Sequence, residues 1–189
     1  MSDLHARFIA HLQALAERDR GALAALRRSL AFDPGTHPPA MPWVEPFAVA
    51  DGTREAQRRA LYLTAGLFAA HPQHRPGAPL ARGLAVVKLA RKSDSIERRF
   101  IALLGADAED LPVHLRHALA LLAADEVPCD FALLADDLAR WLDPLQEDAR
   151  DRVRQRWARD FYRHLAASGN AGTEAPDTTD IPATEENRP

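Results

Sequence analysis

The sequence predicts an all-α protein, folded as a helical bundle of about seven to nine helices. Alanine and leucine, which favour helices, are the commonest residues, and only 6% of the 189 residues are aromatic. β-Branched residues nowhere alternate regularly with polar ones, so the pattern of a half-buried strand is missing. With 47% hydrophobic residues, the chain is apolar enough to bury a core in one or two compact domains.

Apolar residues recur at helical spacing near the amino terminus and predict two helices. The first covers about residues 2–17, and its buried side carries Leu4, Phe8, His11, Leu12 and Leu15. The second covers about residues 20–30, with an apolar side made by Leu23, Leu26 and Leu30.

The next segment, residues 33–47, contains five prolines and is predicted as a long ordered loop. Trp43 and Phe47 are its apolar anchors and should pack against the first two helices. A helix is expected to follow over about residues 53–69, with Thr53 as its N-cap. The proline-rich stretch 71–79 then interrupts the helical pattern.

Two helices are predicted on either side of residues 92–94. The first covers about residues 80–91, and the second starts at Ser95, with Asp94 as N-cap and Glu97 completing a capping box. At about 100° per residue, one face of the second helix is apolar and carries Ile96, Phe100, Leu103 and Leu104. Arg98 and Arg99 point away from that face, so both guanidinium groups should reach solvent.

The carboxyl-terminal half is predicted to form a compact bundle. Its helices cover about residues 111–124, 130–142 and 144–167, and Pro112, Pro128 and Pro144 lie near their starts, where proline is tolerated. We expect two small subdomains and a tail: an N-terminal helical subdomain with the proline-rich loop (1–92), a C-terminal bundle (93–167) and a disordered acidic tail (168–189).

The charge is distributed unevenly along the chain. Five of the 27 acidic residues but only one of the 24 basic residues lie in the tail, so the rest of the chain is nearly neutral. Net charge therefore does not indicate a nucleic-acid-binding protein. Any evidence for such binding has to come from the distribution of basic residues. A single cysteine, no secretory leader and no apolar run of membrane-spanning length predict a cytoplasmic protein that does not enter a membrane.

No catalytic or cofactor-binding motif is present in the sequence. His71, His74, His114 and His117 lack further ligands at metal-site spacing and are interpreted as loop or surface residues. Cys129, at a helix start, is interpreted as a small buried apolar residue. The acidic pairs Glu109-Asp110 and Asp136-Asp137 are interpreted as residues of first helical turns or of solvated faces. We expect no enzyme, no metal and no cofactor.

Basic residues, by contrast, recur in register. Two helices should bring five of them together at one junction, and Arg and Lys at such a junction favour phosphate binding: Lys88, Arg91, Lys92, Arg98 and Arg99. The last helix carries a second stripe, which either binds phosphate or pairs with Asp148, Asp151 and Asp160: Arg152, Arg156, Arg159 and Arg163. In the second predicted helix, Arg28 points outward. Arg27 flanks the apolar stripe, so the sequence does not determine whether its side chain lies along that stripe or is free to bind a ligand.

Several segments, in this order and spacing, resemble CasB, the small subunit of the type I-E CRISPR complex Cascade. They are Arg27–Leu30, Pro38–Phe47, Leu80–Ala85, Ser95–Leu104 with the following Gly-Ala-Asp, Leu115–His117, and Trp157–Tyr162. The resemblance implies an all-α, non-enzymatic protein that contacts nucleic acid. Within it, Arg28, Arg99 and Arg116 match basic positions that face nucleic acid, whereas His117 replaces a second basic residue.

The same resemblance implies a set of partners. These are the CRISPR RNA, the target and displaced DNA of the R-loop, the CasA and CasC subunits, and a second copy of the chain within the complex. Contacts of arginine and lysine with the backbone suit a strand that is held without regard to sequence. Two alternatives stay open: an architectural adaptor whose arginines pair with acids of neighbouring subunits, and a small helical enzyme.

Overall fold

The computed structural model describes residues 3–49 and 54–170. Within these ranges it contains one short 3-10 helix (Pro38–Ala40) and nine α-helices: α1 (Asp3–Arg18), α2 (Arg20–Ser29), α3 (Met41–Ala48), α4 (Glu55–Ala70), α5 (Leu80–Arg91), α6 (Asp94–Gly105), α7 (Leu111–Ala124), α8 (Phe131–Trp141) and α9 (Glu147–Asn170). The predicted all-α bundle is confirmed. Among these helices, none is long and apolar enough to cross a membrane.

Helix α4 lies at the centre of the bundle. Eleven of its sixteen residues are buried, because α1, α2 and α3 pack on one part of its surface and α7 and α8 on another. A helix that is apolar almost all round must be enclosed in this way. Gly66 permits the closest approach, since a Cβ atom there would lie 2.7 Å from Leu30 and 3.2 Å from the Leu26 carbonyl oxygen.

The carboxyl-terminal helices share the same core. Helix α9 packs along α5 and α8, its Phe161 stacks on Phe100 of α6 with ring centroids 4.2 Å apart, and its Trp157 contacts Trp141 of α8. Buried apolar residues form one cluster that extends from α1 to α9. This core has no gap at the predicted boundary between the two subdomains, residues 92 and 93, and the boundary stays a prediction.

The prediction of a loop over residues 33–47 is wrong for its second half. The 3-10 helix there leads directly into α3. Pro42 is tolerated because it lies in the first turn of α3, where a backbone N–H has no intrahelical partner. Pro46 lies inside the helix and removes one backbone hydrogen bond, so the helix depends on packing rather than on propensity.

That packing is the anchoring that the sequence predicts. Phe47 lies edge-on against Phe8 of α1, with ring centroids 5.1 Å apart, and also contacts the His11 ring. Val44 is fully buried, and Trp43 is partly buried against the core. The predicted anchoring of Phe47 against α1 is confirmed, and Trp43 packs against the core.

Most of the predicted helix ends agree with the structure to within three residues. Helix α4 starts at Glu55 with Arg54 at the N-cap position, and Thr53, its predicted cap, lies outside the described residues. Helix α9 continues to Asn170, so residues 168–170 are helical and do not belong to a disordered tail. The rest of the predicted tail, residues 171–189, lies outside the described residues.

Candidate nucleic-acid interface

The candidate interface begins where α5 ends and α6 starts. Lys92 adopts a left-handed backbone conformation, with φ at 49°, which ends α5 and turns the chain toward α6, two residues later. The last turn of α5 therefore lies beside the first turn of α6, as predicted. We call Lys88, Arg91, Lys92, Arg98 and Arg99 the junction cluster.

Lys88 is held by acidic residues of α6. Its Nζ lies 2.8 Å from Asp94 Oδ1 and 2.8 Å from Glu97 Oε2, and only 16% of its side chain is exposed. Hydrogen bonds from Lys88 lower the pKa of both carboxyl groups. The predicted capping box is therefore wrong: α6 starts at Asp94 after Ser93, without a side-chain cap, because the tertiary ion pair engages both carboxylates.

Arg91 is also paired. Its guanidinium group makes a two-point contact with Asp125, at distances between 2.6 and 3.1 Å. Asp125 follows α7 and lies 34 residues away along the chain, so the spacing of residues gives no sign of it. Arg91 is therefore neutralised by a partner that the sequence analysis did not identify.

Three members of the junction cluster keep their charge available. Lys92, Arg98 and Arg99 are exposed, and among residues 3–49 and 54–170 none of them forms an ion pair. Of the predicted apolar side of α6, Ile96, Phe100 and Leu103 are at most 2% exposed, and Leu104 is partly buried against the core. Three exposed cations without carboxylate partners at one helix junction are suited to bind phosphate oxygens.

Arg99 also lines a cavity of about 300 Å³ between α6 and α7, which we call the α6–α7 cavity. Its wall is apolar and includes Leu84, Phe100, Leu103 and Leu121. Its polar lining consists of Arg99, His114 and His117. In the sequence, the two histidines are three residues apart and were assessed only as metal ligands. Their position in the same cavity as Arg99 was not predicted.

Arg27 and Arg116 have structural partners. Arg27 Nε donates a hydrogen bond to the Ala69 carbonyl oxygen at 3.0 Å, which ties α2 to α4. Arg116 donates from one terminal nitrogen to the Leu30 carbonyl oxygen at 2.8 Å. Arg28 is exposed. A guanidinium group has five N–H donors, so Arg116 keeps others for a ligand while it holds α7 to the end of α2.

The arginine stripe of α9 is divided. Arg152 is exposed, Arg159 bonds to its own helix through the Gln155 carbonyl oxygen, and Arg163 lies 4.0 Å from Asp160. Arg156 instead pairs with Asp137 of α8. Of Asp148, Asp151 and Asp160, the acids that could pair with this stripe, only Asp160 lies within ion-pair distance of one of its arginines in the described residues.

Asp137 corrects the interpretation of Asp136-Asp137 as a solvated pair. It is 1% exposed, and besides Arg156 it accepts a hydrogen bond from Trp157 Nε1 at 2.7 Å. Burial raises the pKa of its carboxyl group, against the effect of these two donors. Asp137 joins α8 to α9, and Arg156 therefore has a structural partner.

The remaining chemical candidates are structural as well. His71 is buried, contrary to expectation, and its Nε2 donates to the Val127 carbonyl oxygen at 2.7 Å. His74 Nδ1 accepts from the Phe131 N–H at 3.1 Å. Cys129 is fully buried, as predicted, and burial raises the pKa of its thiol. In the part of the chain that the structure describes, no three His, Cys, Asp or Glu residues are placed to share a metal ion.

A second groove with basic residues was missed by sequence reasoning. Arg75, Arg82 and His164 line it, beside the end of α9. Arg75 and Arg82 are exposed, but they lie in a loop and in the next helix, so no helical spacing relates them. Only the packing of α9 along α5 brings His164 to the same place.

Comparison with known proteins identifies relatives of this chain. The family model of CRISPR-associated protein Cse2 matches residues 22–162. A Cse2 protein of Thermus thermophilus is 46% identical over 142 residues, which are 75% of this chain and 78% of the relative. The crystal structure of CasB from Thermus thermophilus is 43% identical, with a TM-score of 0.73 over 86% of this chain and 99% of that one. A chain of a CRISPR RNA-guided surveillance complex, pre-nicking, is 25% identical, with a TM-score of 0.76 over 89% of this chain and 97% of that one.

Proposed function

The chain belongs to the CRISPR-associated Cse2 family, which includes CasB proteins, and we propose that it is a non-catalytic subunit of a CRISPR RNA-guided surveillance complex. In this complex it holds nucleic-acid backbone through exposed arginine and lysine. The similarity to a chain of a solved surveillance complex supports the assembly. The absence of nucleophile, phosphate-loop and metal-binding motifs from the sequence supports a subunit that is not an enzyme.

One observation carries the nucleic-acid part of the proposal. At the α5–α6 junction, Lys88 and Arg91 are neutralised by carboxylates of the chain, whereas Lys92, Arg98 and Arg99 are left exposed. Like charges at the surface repel one another unless an anion answers them. A phosphate backbone supplies such anions at regular intervals and without sequence preference, which suits the guide–target duplex and the displaced strand of an R-loop.

Each contact of this kind is weak when the subunit is alone. Within an assembly, neighbouring subunits hold the strand close, so the same contact acts at high effective concentration. We therefore propose the CRISPR RNA and the target and displaced DNA as nucleic-acid partners. CasA- and CasC-type subunits and a second copy of the chain are the proposed protein partners.

A purely architectural adaptor is the second candidate function. It is favoured by exposed apolar side chains, since Leu145 is 90% exposed and Ile101 of α6 is 52% exposed. Apolar side chains left exposed in this way are available for contact with another protein. In this alternative the free arginines pair with carboxylates of neighbouring subunits.

Salt titration distinguishes the two functions. Binding of single-stranded DNA to the free subunit is measured over a range of salt concentrations for the wild type and for Arg98→Gln with Arg99→Gln. Loss of two phosphate contacts should reduce the slope of log affinity against log salt by roughly 1.4. The matched control replaces Arg18 and Arg20, two exposed arginines at the α1–α2 junction, by glutamine.

The control has the same net charge as the junction variant, so it should keep the wild-type slope. Equal losses in both variants would show that net charge alone attracts the DNA, and this would contradict a site at the junction. If neither variant changes the slope while assembly with other subunits weakens in the junction variant, the adaptor function is supported instead.

A further inference from the structure

We propose that the α6–α7 cavity takes the unstacked base of a nucleotide whose phosphate lies on Arg99. The inference rests on the proposed function and deepens it. It adds a pocket for one base to a surface that otherwise recognises only backbone, and so it assigns to the subunit a preference for strands with accessible bases.

The size and lining of the cavity suit the aromatic ring of a base. Its volume of about 300 Å³ is at the lower end of the range found for small-molecule pockets. The wall is formed by Leu84, Phe100 and Leu103, each at most 2% exposed, so its inner end is closed by the protein core. Ala102 and His117 line it as well and are exposed, so the cavity opens to solvent on their side.

The polar groups of the cavity are of one chemical kind. Arg99, His114 and His117 supply nitrogen donors and acceptors, and no acidic residue contributes to the lining. Within residues 3–49 and 54–170, none of these three side chains is engaged in a hydrogen bond with another residue. Imidazole nitrogens donate to or accept from the edge of a base, while the guanidinium group of Arg99 binds a phosphate.

A nucleotide uses more of this cavity than an apolar side chain of a partner protein does. Leucine or phenylalanine would contact the apolar wall but would leave Arg99 and both imidazole rings without partners. A nucleotide places its base against the wall and its phosphate on Arg99. Lys92 and Arg98, exposed in the same junction cluster, then lie near the adjoining phosphates. Because every base has an apolar face, the pocket tolerates any sequence.

The test compares two single strands that carry the same phosphates. Binding of the full chain to oligothymidylate is measured beside binding to an abasic oligonucleotide of equal length. Contact between a base and an apolar or aromatic surface is expected to favour oligothymidylate by roughly fivefold or more. Ala102→Phe places a ring across the opening at an exposed position and should reduce oligothymidylate binding to the abasic level. Ala120→Phe, at an exposed position of α7 outside the cavity lining, is the control and should keep the preference.

Equal affinity of the wild type for both strands, with a normal salt slope, would overturn the base pocket and leave the proposed function standing. Failure of the wild type to bind either strand even at low salt, where contacts with phosphate are strongest, would contradict phosphate binding at the junction cluster and overturn the pocket with it. An Ala102→Phe variant that keeps its thymine preference but assembles poorly with other subunits would assign the cavity to a protein side chain and overturn the inference.

Discussion

Arg91 and Asp125 hold each other in a two-point ion pair between the end of α5 and the residue that follows α7. Arg91 Nε lies 3.0 Å from one carboxylate oxygen, and a terminal nitrogen lies 2.6 Å from the other. Because one carboxylate engages two donors of the same guanidinium group, Arg91 is withheld from phosphate. The ion pair therefore excludes Arg91 from the exposed positive surface, which consists of Lys92, Arg98 and Arg99.

Asp125→Asn should increase the binding of nucleic acid. The amide has no charge to hold Arg91, so the released guanidinium group gains one phosphate contact. The magnitude of the salt slope for single-stranded DNA should then rise by roughly 0.7. The measurement is a salt titration of DNA binding to the free subunit.

The double variant Arg91→Gln with Asp125→Asn is the control for this prediction. It should return to the wild-type slope, because the released cation is gone. Arg91→Gln alone should leave the slope unchanged. A smaller slope in this single variant would mean that Arg91 already binds phosphate in the wild type and that the pair opens.

Arg99 and Arg116 should respond differently to charge reversal, although the resemblance to CasB predicts that both face nucleic acid. Arg99→Glu alters an exposed side chain and should change the free energy of unfolding by less than about 0.5 kcal/mol. Arg116→Glu removes the donor to the Leu30 carbonyl oxygen and should cost about 1 kcal/mol or more. Urea denaturation measures both values.

R-loop formation by the assembled complex completes that comparison. Arg99→Glu should weaken it at unchanged stability, which is the result expected for a ligand contact. Arg116→Lys keeps the charge and serves as the control, and it should bind nucleic acid better than Arg116→Glu. If Arg99→Glu unfolds the chain, the residue is structural and the nucleic-acid assignment is wrong.

Stability should fall as the pH drops below about 7, because burial disfavours the charged form of His5. Burial lowers the pKa of His5, Asp136 at 3.7 Å acts in the opposite direction, and Arg140 lowers the pKa further. Burial also lowers the pKa of His11, and the nearby Arg18 adds to the effect. The unfolded chain therefore takes up protons first, at the ordinary histidine pKa of about 6.5, and unfolding becomes more favourable from there downward.

The check is the melting temperature at several pH values between about 7 and 5. The double variant His5→Gln with His11→Gln should lose part of the acid-side decline, whatever its stability at neutral pH. An identical decline in the double variant and the wild type would show that these two residues do not cause it.

The sequence predicted the helices of this chain better than its ion pairs. The periodicity of apolar residues correctly predicted the positions of α5 and α6. It also predicted that Arg98 and Arg99 are exposed, because burial of an apolar stripe fixes how a helix is rotated about its axis. It missed α3, where packing of Phe47 outweighs the effect of Pro46 inside the helix. Local capping rules failed at Asp94 because Lys88, on the preceding helix, competes for the carboxylate.

The candidate site was predictable only in part for a related reason. The exposure of a basic side chain follows from the helical periodicity. Whether its charge is neutralised depends on which acidic residue the fold brings near it. Asp125 and Asp137 are distant in sequence from Arg91 and Arg156. Their pairing arises from the packing of α5 beside α7 and of α8 against α9.

Removal of residues 171–189 should strengthen the binding of single-stranded DNA at low salt. The segment carries five carboxylates and one arginine, so it repels a phosphate backbone. It also follows α9, where Ala167 lies beside Arg82 and His164 in the surface grooves. A short linkage to such a surface gives the acidic segment a high effective concentration there, and DNA has to displace it. Truncation belongs after Asn170, since α9 continues to that residue.

A full-length variant separates charge from length. In it, Glu174, Glu185 and Glu186 become glutamine, and Asp177 and Asp180 become asparagine. If charge masks the basic surface, this variant should bind as tightly as the truncated chain, and the difference from the wild type should vanish at high salt, where screening is strong. Unchanged affinity in both variants would make the segment a passive extension. Loss of folded protein on truncation would show instead that the segment contributes to the fold.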